Sequence, residues 1–141
     1  MSELSLSLAQ TILAAALSLA RAKGYLPMGV VVVDAAGQTK AAAREDGASA
    51  LRLDIALGKA GAAIGMGVNS RVLVQRAKDL PAFFGAVASQ ASQKFIPQTG
   101  AVLIKNATGR VIGAAGASGG TGDEDEAICI AGILDAGLQH G

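Results

Sequence analysis

Val30-Val31-Val32-Val33-Asp34-Ala35-Ala36-Gly37 decides how this chain folds. Four β-branched residues in a row favour extended backbone, and apolarity that does not alternate means a strand covered on both faces. Asp34-Ala35-Ala36-Gly37 is a turn signal, after which Gln38 to Ala43 returns as a second, weaker strand and makes a hairpin. Upstream, Leu4 to Ala20 carries no charge and reads as a helix ending at Lys23-Gly24, with the cation at the negative end of the dipole and the glycine in the left-handed cap. Ser5, Ser7, Gln10, Thr11 and Ser18 interrupt that stretch and Glu3 precedes it, which fits a buried helix and neither a membrane span nor a signal peptide.

Downstream, Ser49 to Gly67 reads as a long helix despite Gly58, Gly61, Gly65 and Gly67, each of which costs about 1 kcal/mol relative to alanine. With Ala60, Ala62 and Ala63 they leave it almost bare, so that it can lie directly on a sheet or another helix. Arg52, Ala56 and Lys59 form its polar stripe. Asn69-Ser70 starts a short helix to Leu80, Pro81 restarts the chain, and Ala82 to Gln93 is helical. Gly100 to Lys105 and Arg110 to Ala117 form a second hairpin around Asn106-Ala107-Thr108-Gly109. After the turn Gly116 to Gly122, the carboxylates Asp123 to Glu126 sit at the positive end of a closing helix that runs from Ala127 to Leu138. This order of elements predicts one domain over residues 1–141, an α/β chain of the α+β kind with helices packed on an antiparallel sheet.

Composition removes whole classes of function. The 141 residues have a net charge of +1 and 51% hydrophobic but only 3% aromatic residues, so the core is aliphatic and neither a basic nucleic-acid surface nor a base-stacking platform exists. The one cysteine, Cys129, sits in an apolar run and reads as a buried small hydrophobe in a reducing, cytoplasmic compartment. The one histidine, His140, cannot build a zinc site with it, so no metal is expected.

Gly116-Ala117-Ser118-Gly119-Gly120 matches the G-x-S-x-G pattern of a nucleophile elbow, but the chain offers only the near-terminal His140 as a base, so Ser118 is not read as a nucleophile. The turn instead exposes backbone N–H groups suited to a carboxylate or other anion. Asp123 to Glu126 lacks the spacing of a calcium loop and reads as a solvated helix start. Arg44 and Lys59 are fixed cations that need partners: Arg44 pairs with Asp46 or with a carboxylate of the closing helix, or either cation receives a ligand carboxylate.

Several stretches together resemble the GlcG/HbpS family, also found as the C-terminal domain of PduO-type proteins. They are Val30 to Gly37, Arg44-Glu45-Asp46-Gly47-Ala48, Lys59-Ala60 with Ala63, and above all Gly109 to Gly120 followed by Asp125-Glu126. Where the family has a second glycine after Gly100 and a proline soon after, this chain has Ala101-Val102. The resemblance implies a profilin-like αβα sandwich with helices on both sides of the sheet, and a homo-oligomer. It implies a small-molecule-binding protein whose ligand is haem or a related tetrapyrrole or corrinoid. The ligand is then expected among Arg44, Lys59, Gly100, Ser118, Gly119, Gly120 and Glu126. An enzymatic alternative is a hydrolase of a small unstable carboxylate in a catabolic pathway. There Arg44 holds the carboxylate, Lys59 or Asp34 handles protons, and the Gly119-Gly120 amides stabilise negative charge. A structural oligomerisation module is a third reading.

Overall fold

Strand β1 (Gly29–Asp34) lies near the middle of the sheet and is buried along Gly29 to Val33, as four consecutive valines require. The computed structural model describes residues 3–92 and 94–141. β1 pairs antiparallel with β2 (Thr39–Arg44) on one side and with β4 (Val111–Ser118) on the other. β4 in turn pairs with β3 (Ala101–Lys105), and a two-residue strand, β5 (Gln139–His140), adds to the far edge, giving the order β2-β1-β4-β3-β5. The sheet is antiparallel throughout, as expected. β2 is a mostly exposed edge, which is why its sequence is the weaker of the hairpin.

Helix α1 (Leu6–Lys23) is capped at its start by the Ser5 hydroxyl, which accepts the Leu8 N–H at 3.1 Å, and at its end by Gly24 at φ 69°. It packs with α5 (Gly122–Asp135) on one face of the sheet, where Ile12, Val30, Val32, Val102, Ile128 and Ile133 are buried together. Helix α2 (Leu51–Met66) covers the other face through Ala56, Ala60 and Ala63 against Val31, Val33, Leu103 and Ala114. α3 (Ser70–Asp79) and α4 (Pro81–Gln90) flank α2, with Leu73, Phe84 and Phe95 burying a smaller cluster against Ala62. Helices on both faces of an antiparallel sheet make an α+β sandwich.

Three expectations need correction. The closing helix stops at Asp135 instead of Leu138, because Gly137 turns the chain at φ 75° and delivers β5 to the edge of β3. The fourth helix begins at Pro81 and ends at Gln90; Gln93, where the sequence reading ended it, lies outside the described residues. The bare helix α2 does lie directly on the sheet, but through Ala56, Ala60 and Ala63 and not through its glycines. Close approach there comes from Gly116 of β4, where a Cβ would collide with the Ala56 carbonyl. Gly58 and Gly61 face a different partner, the extended segment 94–99: a Cβ at Gly58 would meet the Ile96 side chain at 2.7 Å, and one at Gly61 would strike the Lys94 carbonyl. The Ile96 N–H donates to the Gly58 carbonyl at 2.9 Å and fixes this strap on the helix.

Candidate functional site

Arg52, Ile55 and Lys59 lie three and four residues apart on α2 and open together on a cleft of about 480 Å³. The strap, through Ile96, Gln98 and Thr99, forms one wall, and the turn from Ser118 to Gly122 forms the other. The glycines of α2 therefore build the site indirectly, by letting the strap settle beside the charged stripe.

At the bottom of the cleft Lys59 is 6% exposed, and its Nζ donates to Asp125 Oδ2 at 2.9 Å and to the Ala117 carbonyl at 3.0 Å. Asp125, 1% exposed, uses its other oxygen to accept the Gly120 N–H at 3.0 Å. Burial pushes the Asp125 carboxyl above the ordinary carboxylate range, while the Lys59 hydrogen bond and charge pull it back. Gly100 has no room for a side chain, since a Cβ there would lie 2.7 Å from the Lys59 nitrogen. One ion pair thus ties α2, α5, β4 and the glycine turn together.

Arg52 stands at the side of the cleft, half-buried, and donates through Nη1 to the Ser118 hydroxyl at 3.3 Å. No carboxylate forms a salt bridge with it among the described residues, although Asp123 and Asp125 line the same cleft and Asp125 feels its charge. Arg71 on α3 takes both Asp123 and Glu126, and Lys59 takes Asp125. Arg52 is left with four N–H donors without a protein acceptor among the described residues, in a fork suited to a carboxylate.

The structure brings Lys59, Gly100, Ser118 and Gly120 together, and Gly119 adjoins them with Met28 packed behind it. The other expected residues lie elsewhere. Arg44 pairs with neither Asp46 nor the closing helix; it donates to the Ala48 carbonyl at 2.6 Å, two strands from Ser118, about 10 Å by strand spacing. Asp34 caps its own turn, accepting the Ala36 and Gln38 N–H groups, each at 3.0 Å, and sits five residues along β1 from the Ser118 end, about 16 Å away. Of the two residues expected to handle protons, Lys59 or Asp34, only Lys59 lies at this cleft. Glu126 faces Arg71, outside the cleft. The Gly120 N–H is already committed to Asp125, so it is not free to stabilise negative charge on a substrate.

Asp123 to Glu126 is not a solvated row. Glu124 completes a capping box with Thr121, Asp123 and Glu126 meet Arg71, and Asp125 is buried. A signal for this was present: Asp125, Ile128, Cys129, Gly132 and Ile133 recur at helical spacing, which puts Asp125 at the head of the apolar stripe. Arg52 was visible only as a member of the polar stripe of Lys59, two positions before it.

Haem iron needs an axial donor, and no histidine, cysteine, methionine or tyrosine lines the cleft among the described residues. Cys129 is fully buried with its Sγ 3.7 Å from the Gly100 carbonyl, and burial pushes its thiol well up. Met28 is fully buried behind Gly119, and His140 lies on β5 opposite Ile104, four residues along β3 from the cleft end. The residues present do not fit iron ligation in the cleft; they do fit a carboxylate. No helix among the described residues is long and apolar enough to cross a membrane.

The chain superposes on the crystal structure of a PduOC:haem complex with a TM-score of 0.84, at 25% identity over 96% of both chains. It superposes on HbpS at 0.81, with 26% identity over 95% of this chain and 90% of that one. A Klebsiella pneumoniae protein, ORFY, gives 0.85 at 26% identity over 97% and 92%. No curated protein matches. The family pattern described as haem degrading protein HbpS-like matches residues 4–134, nearly the whole chain, and the protein therefore belongs to the HbpS-like family.

Proposed function

We propose that this protein binds a carboxylate-bearing small molecule in the cleft between α2 and the glycine turn, and that the ligand is a haem-type tetrapyrrole held through its propionates. The observation that carries this reading is Arg52, a half-buried guanidinium whose one hydrogen-bond partner among the described residues is the Ser118 hydroxyl, set beside the apolar Ile55, Val74 and Ile96. A charged fork next to an apolar wall suits a ligand that is itself apolar with a charged end. Membership of the HbpS-like family and the haem complex of PduOC support the tetrapyrrole class. Lys59 and Asp125 act here as the floor that holds the turn in place. Arg44, Asp34 and Glu126 lie outside this proposed site.

The same reading keeps residues 1–141 as one domain that assembles with copies of itself, for which the exposed Leu51, Leu80 and Phe83 are the support. Sedimentation velocity tests the assembly, and a monomer at tens of micromolar rejects it. Haemin titration of the purified protein tests the ligand: a saturable Soret shift is expected, weakened by Arg52→Ala. No shift at micromolar protein rejects the tetrapyrrole reading.

A further inference from the structure

We infer that the cleft recognises its ligand through a carboxylate and without a metal, so that an iron-free tetrapyrrole acid binds as well as haem does. The inference rests on the tetrapyrrole reading but goes beyond it, because a haem site is ordinarily built around an iron ligand. Here none of the four side-chain types that serve that purpose faces the cleft among the described residues. Among the described residues the candidates are accounted for one by one, beginning with Met66, which ends α2 and packs against the Leu73, Phe84 and Phe95 cluster. Cys129 and Met28 are at 0% exposure inside the core, and reaching either would require the Gly119 turn or the start of β3 to move. His140 is held at the other end of β3, about 13 Å along the strand from Gly100. Tyr25, just past α1, packs against the α1–α5 core.

Lys59 is the remaining nitrogen that an iron could meet. Its Nζ already donates to Asp125 and to the Ala117 carbonyl, and an ammonium in that role has no lone pair to offer. The carboxylates Asp123 and Asp125 also line the cleft but are taken by Arg71 and Lys59, so iron entering it would meet no free ligand among the described residues, whereas a carboxylate would gain the open donors of Arg52. The ligand's acid groups, and not its metal, should set affinity.

Three probes separate the possibilities: haemin, protoporphyrin IX without iron, and the dimethyl ester of that porphyrin, which keeps the macrocycle and loses the free carboxylates. The expected result is equal affinity for the first two within about threefold. The ester should bind about tenfold or more weaker, the size of one lost charge-assisted hydrogen-bonded pair. Bound haemin should stay high-spin by electron paramagnetic resonance. Arg52→Gln should weaken both free acids equally, while Arg110→Gln, an exposed change at the β3–β4 turn, leaves them unchanged. If Arg52→Gln does not fold, the ester still decides. Haemin binding without porphyrin binding, or a low-spin bound haemin in the absence of added ligand, overturns metal independence and leaves the tetrapyrrole reading standing. Binding of neither free acid overturns both.

Discussion

Replacing Lys59 by methionine is the most demanding test of the site as described. The side chain keeps its volume and apolar stem, so little packing is lost, but Asp125 loses the cation 2.9 Å away and the Ala117 carbonyl loses its donor. Both members of the pair are almost completely buried, at 6% and 1% exposure, so water cannot take over. Removing one partner of such a pair costs about 3–5 kcal/mol, a large part of the roughly 5–15 kcal/mol that holds a domain together. With a urea slope of about 2 kcal/mol per molar, the midpoint should fall by about 2 M. The loss should be larger at pH 8 than at pH 5, because an unpaired buried carboxyl escapes its penalty by taking up a proton. Lys59→Met/Asp125→Leu removes both charges and should be more stable than Lys59→Met by about 1–4 kcal/mol, although the Gly120 N–H then lacks its acceptor. Urea denaturation followed by far-UV circular dichroism measures four proteins: the wild type, Lys59→Met, Asp125→Leu and the double variant. A midpoint shift below about 0.5 M for the single variant would show the pair to be screened by solvent, and additive losses in the double variant would show it to be uncoupled; either result refutes the reasoning.

Other outcomes follow from the same geometry. Gly65→Ala, where a Cβ meets nothing within 4 Å, should raise stability by about 0.5–1 kcal/mol, whereas Gly61→Ala on the same helix should lower it by about 1–3 kcal/mol because the strap backbone must move; thermal unfolding with the same sign for both contradicts this account of the glycines. Because burial raises the Asp125 carboxyl, between the ordinary value of 3.8 and its raised value the folded chain holds a proton that the unfolded chain has released, and this group's contribution to stability is full below 3.8 and declines as pH rises through the raised value. Asp125→Asn removes that decline, so identical pH slopes in wild type and variant would count against it. Cys129, fully buried with its thiol pushed up, should react with an aromatic disulfide reagent only on unfolding; prompt labelling of the native protein would contradict its placement.

Local residue patterns were enough for every element except β5. A run of four valines can be satisfied only by a strand covered on both sides, two turn-separated strand pairs make hairpins, and the Lys23-Gly24 end of α1 follows from the dipole and the left-handed cap. Those are local or periodic properties, carried by neighbours in the chain. Part of the site had the same legibility, since Lys59, Gly100, Ser118 and Gly120 do meet. Pairing between distant residues came only with the packed fold. Arg44 and Lys59 are both isolated cations in the sequence, yet the fold gives one a backbone carbonyl four residues on and the other a buried carboxylate 66 residues away. Arg71, on α3, takes two of the four acidic residues and Lys59 a third, which leaves Arg52 without a salt bridge among the described residues. The glycines of α2 gave a bare face but not its occupant, the strap from Lys94 to Thr99. A charge is assigned its partner by where separate elements cross, and the crossing is set by the packing of the two core layers on the sheet, which no local pattern records.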